Sequence, residues 1–363
     1  GFGHGCGHNM LGSASLLAAA AVKEFLAESG LPGRVRYYGC PAEEGGSAKG
    51  FMVRDGLFDD VDIAICWHPS SFSGVNRPAS LACAEIEFRF HGRAAHAAAV
   101  PHLGRSALDA VELMNVGINY MREHMPATAR IHYAVTNTGG IAPNVVQAYA
   151  EVRHLVRART LGEMWALIER VKKVAEGAAL MTETQMTWKQ LSGDANLIGN
   201  RPLEECMHAN LLRLGSPGFD DHDRAFARRF QATFTREDIA SSYLRSGLQP
   251  RYDEPLHEGV YPLGNGDDNF MGSTDVGTVS WAVPTVQCRA ATYAIGTPGH
   301  SWQLVAQGQA PAAHKGLLFA AKAMAGVAAD VLRDPALRAA AKAEFDAFRK
   351  DNPFANPLTD DVE

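Results

Sequence analysis

The sequence has no CxxC pair, no excess of basic charge, no long apolar run and no internal repeat, and each absence excludes a class of protein. The six cysteines, Cys6, Cys40, Cys66, Cys83, Cys206 and Cys288, lie far apart, which points to a reducing, cytoplasmic compartment. Lys and Arg number 34 against 40 Asp and Glu, a balance of −6 that lacks the basic footprint of a nucleic-acid binder. The most apolar charge-free run, 10–22, is diluted by Ala and Gly and is shorter than the roughly 20 residues of a membrane span, so no membrane association is expected. Hydrophobic residues at 46% and charged residues at 20% exclude wholesale disorder. A length of 363 residues exceeds the roughly 250–300 at which one core stops growing, so two domains are expected. The chain opens Gly1-Phe2-Gly3-His4-Gly5-Cys6-Gly7-His8 without an initiator Met, as if it began inside something longer.

The pattern along the chain predicts an α/β architecture. Residues 13–29 carry an apolar face through Leu16, Leu17, Val22 and Phe25, and stop at Gly30 before Pro32, which predicts a helix. Alternation predicts a strand over 34–40, a helix follows near 47–57, and the short apolar run 61–67 reads as a buried strand. This succession predicts a parallel sheet. From about Leu81 the texture changes to strand 82–90, helix 106–122, strands 130–136 and 148–156, helix 161–180 and strand 184–189. That β-α-β-β-α-β order is the ferredoxin-like split arrangement, expected here as an α+β unit inserted between two parts of the first domain. The divisions are 1–80, 81–192 and 193–363. In the last part, helices are expected at 203–214 and 223–234, strands at 277–283 and 286–293, and Ala-rich helices at 311–332 and 335–349, with a Gly/Asp-rich segment at 264–277.

Four clusters of metal-competent side chains stand out: Cys6 and His8 in HGCGH, Glu43 and Glu44 in CPAEEGG, His68 in CWHP, and His300 in GTPGHSWQ. Glu44 and His68 each follow a predicted strand, and the carboxyl ends of parallel strands are where open sheets bind ligands. Thiolate, imidazole and carboxylate together suit Zn²⁺, Mn²⁺ or Co²⁺ better than Mg²⁺ or Ca²⁺. Glycines flank Cys6 and follow Glu44, allowing backbone to come close. Two adjacent glutamates do not easily bind one ion, so one suits a ligand and the other a general base. Taken singly, each residue has an ordinary explanation: a packed cysteine, a satisfied histidine, a solvated acid pair or a turn. Their joint occurrence points to a metal site. A Cys-His thiol hydrolase built on Cys6 leaves Glu43, Glu44 and His300 unused, and a zinc knuckle lacks a second Cys pair.

GHGCGHNMLG, RYYGCPAEEGG, GRAAHAAAVPHLGRSALDAVELMN, GGIAPNVVQAYAEVRHLVRA, GSTDVGTVSW and GTPGHSWQ occur in the order found in the M20 metallopeptidases. Through nearly its whole length the chain resembles the amidohydrolase branch of that family, subfamily D, and within it the p-aminobenzoyl-glutamate hydrolase group. The resemblance implies a zinc-peptidase-like catalytic domain with a parallel-rich sheet, plus a ferredoxin-like lid and dimerisation domain. It implies two divalent metal ions, Mn or Zn, held by Cys6, His8, Glu44, His68 and His300, with Cys6 between them. Glu43 would be the base that activates water and then the acid that protonates the leaving amine. His96 would stabilise the oxyanion in a neighbouring active site, and Asn144 and Arg157 would hold the substrate carboxylate. Asp275 would steady a ligand histidine or cap a helix or turn, and His4 would lend outer support. Asn9 stands where the wider branch has Asp. Family members also carry a segment before HGCGH with early sheet strands and an Asp-containing motif, so this chain is expected to be one part of a longer polypeptide that lacks part of its catalytic sheet.

The activity so implied is hydrolysis of an N-acyl or N-aroyl amino acid, p-aminobenzoyl-glutamate-like, to the free acid and amino acid. The expected assembly is a homodimer through the inserted domain, with a hetero-partner subunit as a further arrangement. The alternatives are a catalytically silent partner subunit of a hydrolase complex and a dipeptidase or carboxypeptidase of the same superfamily.

Overall fold

Hydrophobic periodicity builds two separate sheets. The structure is a computed structural model and describes residues 3–76, 78–264, 272–359 and 362. The first helix, α1 (Leu11–Ser29), stops at Gly30, whose left-handed backbone lets its N–H donate to the Leu26 carbonyl. After α2 (Ala48–Arg54), strand β1 (Ala64–Ser70) and the short β2 (Gly74–Val75) enter the first sheet. Its central strand, β7 (Thr285–Ala291), comes from the far end of the chain; it runs parallel to β1 and antiparallel to β2, in the order β1-β7-β2.

The second sheet has the predicted connectivity. Strand β3 (Ala82–His91), helix α3 (Ala107–Met121), strands β4 (Arg130–Asn137) and β5 (Tyr149–Ala158), helix α4 (Leu161–Thr182) and strand β6 (Gln185–Asp194) follow in turn. They pair antiparallel as β4-β5-β3-β6, the ferredoxin-like arrangement. Side chains such as Phe88, Val111, Met114, Ile168 and Val171 form a core between this sheet and the two helices. Ser106 and Thr160 cap α3 and α4 by accepting from the backbone N–H groups of Asp109 and Glu163.

The remaining chain is helical. Helices α5 (Arg201–Leu214), α6 (Asp221–Gln231), α7 (Arg236–Arg245), α8 (Val276–Ala282) and α9 (Trp302–Gln307) precede the long α10 (Pro311–Arg333) and α11 (Pro335–Asp351). Met10, Ala14, Ala18 and Trp67 pack with Cys288 and Ala290 of β7 and with the buried face of α10. By length and composition alone, residues 8–29 would pass as a membrane span. In the fold, Ala14, Ala18 and Val22 are buried and the helix packs against α10, while Leu16 and Leu17 are exposed.

Two expectations fail. Residues 34–40 form no strand, because their backbone finds no ladder partner among the described residues. They are held instead by Arg34 and Arg36, both of which donate to Asp60. Residues 277–283 form a helix rather than a strand. An apolar run this short does not reveal its period once every side is buried. Here Thr278 and Ser280 accept from the N–H groups of Ala195 and Ile198, and a Cβ on Gly277 would lie 1.9 Å from the Ala195 carbonyl oxygen. Helices α7 and α9 had no counterpart in the sequence reading. Much of the Gly/Asp-rich segment, 265–271, lies outside the described residues.

Candidate metal centre

Four segments that are distant in sequence bring their side chains together. Cys6 and His8 precede α1, Glu43 and Glu44 precede α2, His68 lies in β1, and His300 precedes α9. The loops approach closely because the local residues permit it. A Cβ on Gly5 would sit 3.1 Å from the His300 Cα, and the His300 N–H donates to the Gly5 carbonyl at 2.8 Å. Among the described residues, four non-glycines adopt left-handed backbone, and Ala42, Ser47 and His300 are three of them. Strain of this kind persists where the surroundings over-determine it. Here it brackets the two glutamates and falls on a donor histidine.

The donor atoms form three overlapping sets: Cys6, His8 and His68; Cys6, Glu44 and His300; and His8, Glu43 and Glu44. Within each set the atoms lie within 4.8 Å of one another. The Cys6 Sγ lies 3.7 Å from His68 Nε2. His8 Nε2 lies 3.8 Å from Glu43 Oε2 and 4.0 Å from Glu44 Oε1, and His300 Nε2 lies 3.4 Å from the same Glu44 oxygen. Cys6, His8 and Glu44 are each shared by two sets, so the three sets form one continuous cluster.

The electrostatics describe a cluster short of positive charge. Burial, Glu44 and Glu43 push the Cys6 thiol up to about 12. Burial and then Arg289 push His68 down to about 3, so its ring is neutral at ordinary pH. The His68 Nδ1 lies 2.8 Å from the Pro69 carbonyl, which accepts its proton and leaves the Nε2 lone pair facing Cys6. His8 Nε2 is buried without a hydrogen-bond partner. A buried polar atom without a partner is costly, and a cation among these electron-pair donors would satisfy it. The set of one thiol, three imidazoles and carboxylates fits Zn²⁺, Mn²⁺ or Co²⁺.

The other predicted residues are placed as follows. His96 is exposed on a loop that meets the Asn144 loop: the Ala97 N–H donates to the Asn144 carbonyl at 2.9 Å, and His96 bridges Val145. No hydrogen bond or ion pair among the described residues joins either residue to the cluster. His96 Nδ1 accepts from the Ala98 and Ala99 N–H groups, both at 3.2 Å, so the neutral ring carries its proton on Nε2. Arg157, in β5, donates from Nη1 to Ser273 Oγ at 2.8 Å. Among the described residues Asp275 makes no capping bond to α8 and no hydrogen bond or ion pair to a histidine; fully buried, it accepts from Lys49 Nζ at 2.7 Å and from the Lys49 backbone N–H. His4 is exposed, with only its carbonyl engaged, by the Gly7 N–H.

Several neighbours escaped the sequence reading. Burial raises the Glu43 carboxyl above its ordinary value, and Thr274 opposes the rise. Burial disfavours the Lys49 ammonium, but Asp275 outweighs it and the net shift is upward. Asp194, at the end of β6, is pushed up to about 7 by burial. Arg289 stands opposite His68 in the strand register and donates to Asn76. The one signal for these residues was position, namely a lysine just after the paired glutamates and a Ser-Thr-Asp run before an apolar stretch.

Known proteins resemble the chain in sequence and in fold. The profile of peptidase family M20/M25/M40 matches residues 1–229. The chain is 46% identical over 370 aligned residues to a subunit of the p-aminobenzoyl-glutamate hydrolase of Escherichia coli K12, covering 99% of this chain and 77% of that protein. It is 29% identical to the Xaa-Arg dipeptidase of Mus musculus, covering 94% of this chain and 70% of that one. Among solved structures, a Bacillus subtilis dinuclear metal-binding peptidase from the M20 family superposes with a TM-score of 0.55 at 16% identity, covering 91% of this chain and 73% of that chain. The aminobenzoyl-glutamate utilization protein of Klebsiella pneumoniae superposes at 0.54 and 18% identity, covering 86% and 66%. At these identities the two structures speak to fold alone.

Proposed function

This chain belongs to the peptidase family M20/M25/M40, and on that premise we propose that it is a dinuclear metal-dependent amidohydrolase that cleaves N-acyl or N-aroyl amino acids of the p-aminobenzoyl-glutamate kind. The observation that carries the reading is the convergence of Cys6, His8, Glu44, His68 and His300 from four distant segments into overlapping donor sets linked through Cys6, His8 and Glu44. Those five would hold two ions, Mn or Zn. When bound, such ions polarise the scissile carbonyl and acidify water.

The chain's own residues supply the rest. Glu43, raised by burial with Thr274 opposing the rise, takes the proton of the attacking water and returns it to the leaving amine. The Nε2–H of His96 donates to the developing oxyanion, and it does so in the site of a second copy. The planar guanidinium of Arg157, with Asn144, receives the substrate carboxylate. In this reading residues 81–192 are the lid and dimerisation domain, and 1–80 with 193–363 form the catalytic one. The assembly is a homodimer through the lid, supported by the apolar Leu113, Val116 and Tyr120 exposed along α3 at helical spacing. A hetero-partner is supported by the relatives, because two different subunits of the Escherichia coli hydrolase are both similar to this chain. The free state of all six cysteines supports a cytoplasmic setting.

Substitution Glu43→Gln tests the base. Bound metal, read by elemental analysis, is expected to stay unchanged while kcat falls by roughly 10²–10⁴-fold. Retained turnover refutes the assignment. A second reading, a dipeptidase, is favoured by the resemblance to the mouse Xaa-Arg dipeptidase over 94% of the chain. Cleavage of Xaa-Arg peptides without cleavage of N-aroyl amino acids would select it. A silent subunit would have no physical need for the assembled donor set, and purified protein without bound transition metal would select that alternative.

A further inference from the structure

Three consecutive side chains just before α8 each hold a different part of the candidate site. Ser273 Oγ accepts from Arg157 Nη1 at 2.8 Å. Thr274 opposes the burial-driven rise of the Glu43 carboxyl, as a hydroxyl donated toward it does. The Thr274 Oγ1 accepts from the Val276 N–H at 3.4 Å, which leaves the hydroxyl proton free for the carboxylate. Asp275 accepts twice from Lys49, at the start of the helix that follows the paired glutamates.

The segment is itself fixed at both ends. The Leu81 N–H donates to the Gly272 carbonyl at 2.8 Å, tying the segment to the entry of β3. On the other side, α8 is bound to residues 195–198, where the chain leaves β6: Thr278 and Ser280 accept from the N–H groups of Ala195 and Ile198, and Trp281 Nε1 donates to the Asn196 carbonyl. The short stretch therefore lies where both connections of the second sheet cross, and its side chains reach the second sheet on one side and the acid pair on the other.

We propose that Ser273, Thr274 and Asp275 form one positioning strip that fixes the substrate-anchoring Arg157 relative to the base Glu43. Ser273 sets the guanidinium, Thr274 sets the carboxylate, and Asp275 anchors Lys49 and with it the loop carrying both glutamates. Because Ser273 and Thr274 are adjacent, anchor and base are tied across a single Cα step of about 3.8 Å. A shift of the strip moves both ends of the substrate's path together. The proposal rests on the reading of Glu43 as base and Arg157 as anchor. The residues of the strip are positioning residues and do not touch the reacting atoms.

The test separates binding from turnover on the metal-loaded chain. Binding of p-aminobenzoyl-glutamate is measured calorimetrically in the Glu43→Gln background, where the substrate persists, and turnover is measured with Glu43 intact. Ser273→Ala is expected to weaken Kd and raise KM by roughly tenfold with kcat within about threefold, the scale of one lost charge-assisted hydrogen bond. Thr274→Val is expected to lower kcat by roughly 10- to 100-fold, with Kd, KM and metal content within about twofold, as displacement of a reacting group predicts. Ser273→Thr and Thr274→Ser are expected to restore wild-type values to within about threefold. Parallel losses of kcat and KM in both Ala and Val variants, failure of the conservative variants to rescue, or wild-type kinetics throughout would each overturn the strip. Turnover by Glu43→Gln itself, or unweakened binding by Arg157→Ala, would instead overturn the underlying base or anchor assignment, and both are read before any strip variant is made.

Discussion

His154 stands in the middle of β5 with its side chain fully buried, opposite Ile86 of β3 and Tyr133 of β4. Phe88 meets its ring edge-on at 5.7 Å and Tyr133 covers it at 5.6 Å. Neither ring nitrogen has a hydrogen-bond partner among the described residues. Burial, assisted by the Arg122 guanidinium, lowers the group from 6.5 to about 4. The native state therefore holds the ring neutral, while the unfolded chain takes up a proton as soon as pH falls below about 6.5. Above that pH the group makes no pH-dependent contribution. Between about 6.5 and 4 it removes roughly 1.4 kcal/mol of native stability per pH unit, about 3 kcal/mol in all. His154→Leu keeps the volume and removes the titration. The variant is expected to be more stable than the parent by about 1–2 kcal/mol at pH 7, because two unpaired buried nitrogens disappear. The gap is expected to widen by about 3 kcal/mol on going to pH 4. Urea unfolding of both proteins across that range measures it, and the difference cancels the contributions of the other buried histidines, His68 and His257. A gap independent of pH would refute the reasoning, as it would mean that His154 titrates alike folded and unfolded.

The Lys49–Asp275 pair is the second perturbation. With Asp275 wholly buried and the lysine side chain 15% exposed, Lys49→Met strands a carboxylate and is expected to cost about 3–5 kcal/mol. Adding Asp275→Asn, which keeps an acceptor for the Lys49 backbone N–H, is expected to recover at least half of that in urea unfolding; a loss below about 1 kcal/mol for Lys49→Met alone would show that the pair is not desolvated. For the assembly, light scattering is expected to give twice the mass of the chain, and Val116→Glu with Tyr120→Glu is expected to give the monomer. A parent protein that is monomeric and fully active would remove the role of His96 across subunits.

The second sheet was legible because its strands alternate. Phe88 and Phe90 face a core while Arg89 faces out, and the amphipathic period of α3 and α4 is unbroken. The first sheet was legible only in part. Residues 34–40 alternate as well as any strand, yet alternation reports a surface with two unlike faces and says nothing about whether a neighbour supplies the ladder bonds. In the opposite case, 276–282 is a helix buried on nearly every side, so the polarity contrast that would reveal a period is absent. What fixes it as a helix is tertiary: Thr278 and Ser280 are spent on the backbone of 195–198, a partner some 80 residues earlier in the chain.

The site divides along a similar line. Cys6, His8, His68 and His300 were legible because cysteine and histidine are scarce and chemically distinct, and because Cys6, His8 and His300 sit in glycine-rich surroundings while His68 lies in a short apolar strand run. Ser273 and Thr274 were not, and Asp275 was given other roles than the one it has, because a Ser-Thr-Asp run before an apolar stretch has the composition of an ordinary helix start. Asp275 shows the difference. It occupies the N-cap position of α8, yet its side chain makes no capping bond and is committed to Lys49. A residue type that suits many local roles reveals its actual one only through its partner, and here the partner lies 226 positions away. Composition therefore identifies the atoms able to hold a cation, whereas the groups that aim them are identified by contact alone.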